Sequence, residues 1–260
     1  MVSAEYVHLE FAQDRITLVP VGDIHFGAET SRFSAVKKLF ETAPPDTYFV
    51  LLGDLVDYAV KQSIANVYDQ EPHIEGQTKE MWQFLTDYKD KIIGAVSGNH
   101  EYRMVRQIGI DPIGMKFQDL GIPYHPYILI LEISVGNGKG RGSRRRCDYI
   151  IVLYHGYTGA RTAGGKINGN LRITEVIPTA DIYITGHTHQ PSFVNLARLE
   201  VDKYNKKIRT VPYFMVTVPA WLGYEDYAAR MALRPNGFSL VALELSGVQK
   251  MVEIKHIVNF

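Results

Sequence analysis

Residues 16–27 read ITLVPVGDIHFG, an apolar run that stops at a glycine and is followed at once by Asp23 and His25. A short run of this composition predicts a β-strand that is buried on both faces. The same arrangement recurs further along the chain, where apolar runs precede GDLVD at 53–57, SGNHE at 97–101, HGYTG at 155–159 and GHTH at 186–189. A buried helix segment fits these runs poorly, because each run is short and ends close to a glycine.

The pattern as a whole predicts the order of the secondary-structure elements. Strands are expected at residues 16–21, 48–52, 92–96, 149–154, 181–185, 213–218 and 238–245. Helical spacing lies between them, first around Phe33 and Phe40 and then in a stripe from Met81 to Ile92 that Thr78 would cap. Strands that alternate with helices before a strand-rich C-terminal part predict an α/β fold with two packed sheets and helices outside them.

The composition is ordinary for a globular enzyme. The chain has 260 residues, of which 46% are hydrophobic and 22% charged, so we expect one domain over residues 1–260. Lys+Arg and Asp+Glu are both 28, and this zero net charge disfavours a protein that holds nucleic acid nonspecifically. A cluster of Arg141, Arg144, Arg145 and Arg146, at the tip of a hairpin predicted over residues 127–154, leaves a local polyanion contact open. A solvated tip is the favoured interpretation of that cluster.

The expected compartment is the cytoplasm. Cys147 is the single cysteine, which excludes an intramolecular disulfide and fits a reducing environment. The N-terminal residues lack the apolar core of a signal peptide, and no stretch approaches the ~18 apolar residues of a membrane span. We therefore expect no membrane partner. The oligomeric state is not predicted.

The polar residues at the predicted strand ends are the types that divalent cations prefer. Such metals take carboxylate oxygen, imidazole nitrogen and amide oxygen, and a bridging carboxylate can hold two of them ~3.5–4 Å apart. The candidates are Asp23, His25, Asp54, Asn99, His100, His155, His187 and His189. Each motif alone is better explained as a turn, a cap or a loop. The whole series in one order instead indicates a site, with Asp54 as the candidate bridge.

This series resembles the calcineurin-like metallophosphoesterases, whose motifs are D-x-H, G-D-x-x-D, G-N-H-[DE], H and G-H-x-H. The matching residues run from Asp23 to His189, and no motif is missing. The resemblance implies a four-layer α/β/β/α sandwich with two mixed β-sheets and a site at the strand ends. It also implies a phosphoric ester hydrolase with two divalent metal ions, Mn²⁺ being favoured over Fe and Zn²⁺.

The resemblance further implies a role for each residue. Asp23, His25 and His189 would hold the first metal, and Asn99, His155 and His187 the second, with Asp54 bridging both. His100 would be a non-ligand acid that protonates the leaving oxygen or steadies the transition state. The nucleophile would be a metal-bridging hydroxide that attacks phosphorus in line.

The substrate is less well determined than the metal centre. The Ser/Thr phosphatase branch has Arg-Gly after its G-D-x-x-D motif, whereas Tyr58 and Ala59 follow here, which disfavours that branch. A phosphodiester is slightly favoured over a phosphomonoester, because His100 could assist a poor leaving group. Phosphate contacts are predicted from the glycine-rich segment 155–170 with Arg161, Lys166 or Arg172 supplying charge, and secondarily from Arg103. A solvated loop and a surface arginine are the alternatives.

Two other functions remain as alternatives. One is a DNA or RNA nuclease of the same superfamily, which the length of the chain disfavours because repair nucleases usually carry an additional DNA-binding domain. The other is a non-catalytic metal-binding scaffold that binds protein partners. It is disfavoured because such members typically lack a ligand or the catalytic histidine, and none is missing here.

Overall fold

The computed structural model describes residues 4–59, 72–138, 146–223 and 237–257. Its strands, in chain order, are β1 (Glu5–Phe11), β2 (Arg15–Val21), β3 (Thr47–Leu51), β4 (Ile92–Val96), β5 (Tyr124–His125), β6 (Ile128–Val135), β7 (Cys147–Tyr154), β8 (Ile182–Thr185), β9 (Ser192–Asp202), β10 (Lys207–Thr217), β11 (Leu240–Ser246) and β12 (Val252–Ile257). Its helices are α1 (Phe33–Thr42), α2 (Ile74–Asp87), α3 (Asn99–Ile108), α4 (Pro112–Asp119), α5 (Ala163–Leu171) and α6 (Ile173–Val176). One domain over residues 1–260 stays a prediction.

Within these ranges the strands form two six-stranded sheets, and both sheets are mixed. The first, sheet A, has the order β1-β6-β7-β8-β10-β9, and the second, sheet B, has the order β12-β11-β2-β3-β4-β5. Strands β2, β3 and β4 run parallel to one another, and so do β7, β8 and β10. The carboxyl ends of each parallel group therefore meet at one edge of the sheet, the edge at which α/β proteins bind ligands.

Three apolar cores show that the elements form four layers. The inner faces of the two sheets pack together, with Leu18 of sheet B and Leu131 of sheet A in the same buried core. Helices α1 to α4 cover the outer face of sheet B, where the Phe40 ring stacks on Phe49 at 3.7 Å between centroids. Helices α5 and α6 cover the outer face of sheet A, where Ile173 is buried. The predicted α/β/β/α sandwich with two mixed sheets is confirmed.

Helix α2 differs from the prediction at both ends. It begins at Ile74 with His73 as the N-cap residue, so the predicted cap at Thr78 is wrong. The Thr78 hydroxyl instead donates a hydrogen bond to the Ile74 carbonyl at 2.8 Å, which is the bond of a threonine inside a helix. The first turn escaped prediction because its buried side chain is the polar Gln77. The apolar stripe also ends before Ile92, which is the first residue of β4.

The strands that sequence patterns missed lie at sheet edges. Strands β1, β9 and β12 are edge strands, and the exposure of β1 and β9 alternates along the chain, so they lack the continuous apolar runs of the central strands. The predicted hairpin is confirmed as the antiparallel pair β6 and β7. At its tip, Arg141, Arg144 and Arg145 lie outside the described residues, while Arg146 forms an ion pair with Glu10. None of the helices in the described part of the chain is long and apolar enough to cross a membrane.

Candidate metal centre

The predicted metal ligands follow β2, β3 and β4 of sheet B and β7 and β8 of sheet A, in loops except for Asn99, which is the first residue of α3. Backbone hydrogen bonds join these loops, from Asp23 N–H to the Gly53 carbonyl at 3.0 Å and from His25 N–H to the Asp54 carbonyl at 2.9 Å. Across the two sheets, His155 Nδ1 lies 2.5 Å from the Leu52 carbonyl. The strand ends thus bring residues from distant parts of the sequence to one place.

One group of side chains contains Asp23, His25 and His189, whose nearest ligand atoms all lie within 4.8 Å of one another. His189 Nε2 is 3.5 Å from Asp23 Oδ1, and His25 Nε2 is 3.1 Å from His189 Nε2. A hydrogen bond between two ring nitrogens needs one N–H and one lone pair, whereas a shared cation is bound by two lone pairs. Asp23 is fully buried and His25 nearly so, which favours a cation close to them.

A second group contains Asp54, His155 and His187, again within 4.8 Å. Asn99 extends it, because its Oδ1 lies 2.8 Å from His187 Nδ1 and 3.2 Å from His155 Nε2. The contact of His155 Nδ1 with a backbone carbonyl places a proton on that nitrogen, so Nε2 is the atom that faces Asp54 and Asn99 and would offer its lone pair to a cation. This is the arrangement that metal-binding histidines commonly have.

Asp54 belongs to the second group and also contacts His25 of the first. Its Oδ2 is 3.4 Å from His155 Nε2 on one side and 3.9 Å from His25 Nε2 on the other. The other oxygen, Oδ1, accepts the backbone N–H of His100 at 2.8 Å, and this bond orients the carboxylate. Buried carboxylates, convergent imidazoles and one amide oxygen form a donor set that fits two divalent cations.

His100 lies beside Oδ2 of Asp54. Its Nε2 is 3.8 Å from Asp54 Oδ2, so His25, Asp54 and His100 form a third group that could hold a metal. Its Nδ1 lies 2.6 Å from the Asp57 carbonyl oxygen and 3.1 Å from Asp57 Oδ1. Arg103 contacts the same ring, with Nη2 2.9 Å from Nε2, and its Nη1 donates to the Asp57 carbonyl at 3.1 Å. The structure thus brings Arg103 to the predicted proton donor.

The charges of the cluster are strongly coupled. Burial, reinforced by His100, lowers the pKa of His25 to about 4. Burial would also lower the pKa of His155, but the Asp54 carboxylate raises it to about 10. Burial alone would raise the pKa of Asp54, whereas His100 and His155 hold it well below the usual range. Asp54 is therefore a buried anion, and it needs positive charge close by.

The backbone is strained at the ligands. Positive φ angles occur at Asp23, His25, Asp54, His187 and His189, with values from +47° to +65°. Outside glycine this left-handed conformation costs roughly 1–2 kcal/mol per residue. Such strain persists where the surrounding structure imposes it, and it clusters at functional sites. It turns these side chains of the strand-end loops toward a common centre.

Glu101 supports the centre, and the sequence patterns assigned it no role. Its buried carboxylate accepts backbone N–H groups from Asp54 at 2.9 Å, Leu55 at 2.8 Å and Gly98 at 2.9 Å. Burial, together with the Asp54 carboxylate, raises the pKa of Glu101 to about 7. The signal in the sequence was Glu at the third position of α3, where a capping-box acid reaches back to the helix N-terminus.

The predicted phosphate-binding segment is partly a helix. Residues 163–171 form α5, and the Thr162 side chain caps it by accepting the Gly165 N–H at 3.2 Å. The predicted loop conformation is wrong for this half, whereas the predicted phosphate contact stays a prediction, because the first N–H groups of a helix have no partner within it. Arg161 lies exposed just before the cap. Lys166 is half-buried in α5, and burial lowers its pKa.

The fold is thus a four-layer α/β sandwich, and the carboxylates and imidazoles at its strand ends could hold metal ions. The model of the calcineurin-like phosphoesterase family matches residues 16–191. This is more than half of the chain, and the chain belongs to that family. No curated protein matches it.

Solved structures with a similar fold have low sequence identity. Vacuolar Protein Sorting 29 from Cryptosporidium parvum is 15% identical at a TM-score of 0.42, covering 95% of this chain and 100% of that chain. A predicted phosphoesterase from Streptococcus pneumoniae TIGR4 is 14% identical at 0.36, with coverage of 95% and 100%. Vps29 from Chaetomium thermophilum is 11% identical at 0.42, with coverage of 93% and 95%. The family assignment rests on the family model.

Proposed function

We propose that this protein is a two-metal-dependent phosphoesterase that hydrolyses a phosphodiester or a phosphomonoester. The observation that carries the proposal is the position of Asp54, whose Oδ2 lies between His25 Nε2 and His155 Nε2. A buried carboxylate shared by two imidazole-containing groups is what a pair of bridged cations requires. Membership of the phosphoesterase family supports the same reaction class.

Each cation would have its own set of ligands. Asp23, His25 and His189 would hold one, and Asn99, His155 and His187 the other, with Asp54 contributing to both. The preferred ion is Mn²⁺, with Fe or Zn²⁺ as alternatives. When bound, the pair would neutralise a phosphate group and make water a competent nucleophile near neutral pH.

The protein's own residues would act on the leaving group. The Asp57 carbonyl holds Nδ1 of His100, which leaves Nε2 as the atom that can give a proton to the leaving oxygen. Arg103 Nη2 can only donate and lies 2.9 Å from that Nε2, so a substrate oxygen that accepts the guanidinium N–H would free Nε2 to carry the proton. Arg161, just before the cap of α5, and Lys166, within α5, are proposed to contact the phosphate.

The proposal extends to the substrate and to the cellular location of the protein. A phosphate ester is the proposed partner. A cytoplasmic location is also proposed, and the single buried thiol of Cys147 supports it. A nuclease would need a surface that binds a polynucleotide, and the substrate panel below therefore includes polynucleotides.

A substrate panel with measured metal content tests the proposal. Metal-free protein would be titrated with Mn²⁺ and assayed on aryl phosphomonoesters, aryl phosphodiesters, cyclic and linear dinucleotides, and single- and double-stranded polynucleotides. We expect two Mn²⁺ per chain and hydrolysis of at least one ester. Asp54→Asn, which keeps the shape but loses the charge, should lose both metal and activity. Asp90→Asn, at an exposed aspartate, should change neither.

The outcomes separate the competing functions. Cleavage confined to polynucleotides would replace the small-ester proposal with the nuclease. Well under one Mn²⁺ per chain would overturn the enzyme proposal in favour of a non-catalytic scaffold. Two metals with no hydrolysis of any class would retain the metal centre but overturn the reaction.

A further inference from the structure

Asn170 is a buried amide at the end of α5, outside the motifs that hold the metal ligands. Its side chain is fully buried although it is polar. Nδ2 donates to Thr185 Oγ1 at 3.0 Å and to Thr217 Oγ1 at 3.3 Å, and these two hydroxyls lie 3.0 Å apart. Thr185 and Thr217 are the last residues of β8 and β10. The amide thus links α5 to two neighbouring strand ends.

The same amide lies against the loops that carry two ligands. Nδ2 is 3.5 Å from the carbonyl oxygen of Gly186, the residue before His187. Gly156, the residue after His155, has φ +106°, and a Cβ there would lie 2.9 Å from Asn170 Oδ1 and 3.2 Å from His187 Cβ. Gly186 N–H donates to the His155 carbonyl at 2.8 Å, so the two loops are also joined to each other. Asn170 packs where both loops leave sheet A.

Packing alone does not explain why a polar amide occupies this buried position. Oδ1 of Asn170 is buried and has no hydrogen-bond partner among the described residues. A buried polar group left without a partner costs about 1–3 kcal/mol. An apolar side chain of similar size would avoid that cost and fill the same space. The amide is therefore explained by what its donor bonds hold in position.

We propose that Asn170 is a positioning residue for the metal ligands His155 and His187. Its amide ties the ends of β8 and β10 to the Gly186 carbonyl and packs against Gly156. His155 Nε2 and His187 Nδ1 are thereby both held within 3.2 Å of Asn99 Oδ1. The inference rests on the proposed function, because it concerns the second of the two metal positions. It predicts that loss of the amide weakens one metal site selectively.

The test compares metal binding in variants of the full chain. Asn170→Leu removes the hydrogen bonds and keeps the approximate volume, and Asn168→Leu, at an exposed position of the same helix, is its matched control. Mn²⁺ would be titrated into metal-free protein by calorimetry and followed by electron paramagnetic resonance, which distinguishes coupled from isolated Mn²⁺. In Asn170→Leu we expect the second equivalent to bind about 10–100-fold more weakly, the usual effect of losing an outer contact of a metal ligand. The coupled signal should weaken, while the first equivalent binds as in the parent protein.

A second variant keeps the inference testable if Asn170→Leu does not fold. Thr185→Val removes the partner hydroxyl from the strand side, and it should weaken the same equivalent. Normal binding of both equivalents in a folded variant would overturn the inference, and so would equal weakening of both, which indicates a general structural role. If the parent protein itself binds fewer than two Mn²⁺, the proposed function fails first and the inference falls with it. If the parent binds two and the variants match it, only the inference fails.

Discussion

At the scale of single residues, His100 is the proposed proton donor and its neighbour Asn99 a proposed metal ligand. His100 directly follows Asn99 in the chain. Its ring contacts the Asp57 carbonyl through Nδ1 and Arg103 Nη2 through Nε2. Burial would raise the pKa of Asp57, but hydrogen bonds from His100 and His25 lower it below the usual range. Asp57 therefore supports two histidines of the centre.

The variant His100→Ala tests these proposed roles. We expect metal content to stay at the parent level, because Asp54 keeps its other imidazole neighbours. Turnover should fall by roughly 10²–10⁴, the range for loss of general acid help. Metal analysis and steady-state kinetics on the best substrate of the panel would measure both. His8→Ala, at an exposed position of β1, is the control.

Two results would contradict this assignment. Parent-level turnover would remove His100 from the chemistry. A loss of one metal equivalent would instead make it a ligand, which is the other interpretation that its 3.8 Å distance to Asp54 Oδ2 allows.

At the scale of elements, helix α3 connects the loops after β3 and β4. It begins after Gly98, and its Glu101 accepts N–H groups from both loops. A Cβ on Gly98 would lie 2.1 Å from Asp54 Oδ1 and 2.3 Å from the Asp54 nitrogen. The other end of the helix stops at Gly109, with φ +75° and no atom within 4 Å of an added Cβ. Glycine is thus required at Gly98 because Asp54 lies too close for a side chain, and at Gly109 because the backbone is left-handed.

This difference predicts different effects of the same substitution. Gly98→Ala should reduce metal binding, because Asp54 must move to admit the methyl group. Gly109→Ala should cost about 1–2 kcal/mol of unfolding free energy through its left-handed backbone, with normal metal content. Urea unfolding and metal analysis of both variants would check this. Parent-level metal content in a folded Gly98→Ala would show that the contact with Asp54 does not control the site.

At the scale of the whole molecule, the centre joins the two sheets. Sheet B contributes Asp23, His25 and Asp54 from its strand ends, and sheet A contributes the histidines that follow β7 and β8. Buried carboxylates and strained loops meet where the sheets face each other. Without metal cations, the neighbouring imidazoles must balance the buried carboxylates of Asp23 and Asp54, and burial opposes the charged form of both kinds of group.

Metal removal should therefore lower the stability of the entire fold. Treatment with a chelator is expected to lower Tm, and added Mn²⁺ should restore it. Each site contributes about 2.7 kcal/mol when free metal is about one hundred times its Kd. Asp54→Asn should show little response to Mn²⁺. Differential scanning calorimetry measures the shift, and an unchanged Tm across chelation and reconstitution would contradict a metal centre that joins the two sheets.

Much of this architecture was predictable from local sequence. The strand at Ile92–Val96 was predicted with the bounds it has, because its five residues are all buried and apolar apart from Gly94. The edge strand at Ser192–Asp202 was not predicted, because alternate residues face solvent. Its extended conformation depends on pairing with Lys207–Thr217. Helix α5 was missed because its glycines resemble a loop, while its cap at Thr162 and its packing on sheet A set the conformation.

The sequence by itself determined which donor atoms are available and that they follow strands, because the spacing between a strand, a glycine and a ligand is a property of local backbone. The tertiary structure decided which of those atoms meet. The position of Asp54 between His25 and His155, the contact of His100 with Asp57 and the burial of Asn170 all join segments that are distant in the chain. Such distances depend on the order of the strands and on how two sheets pack, and no local pattern encodes them.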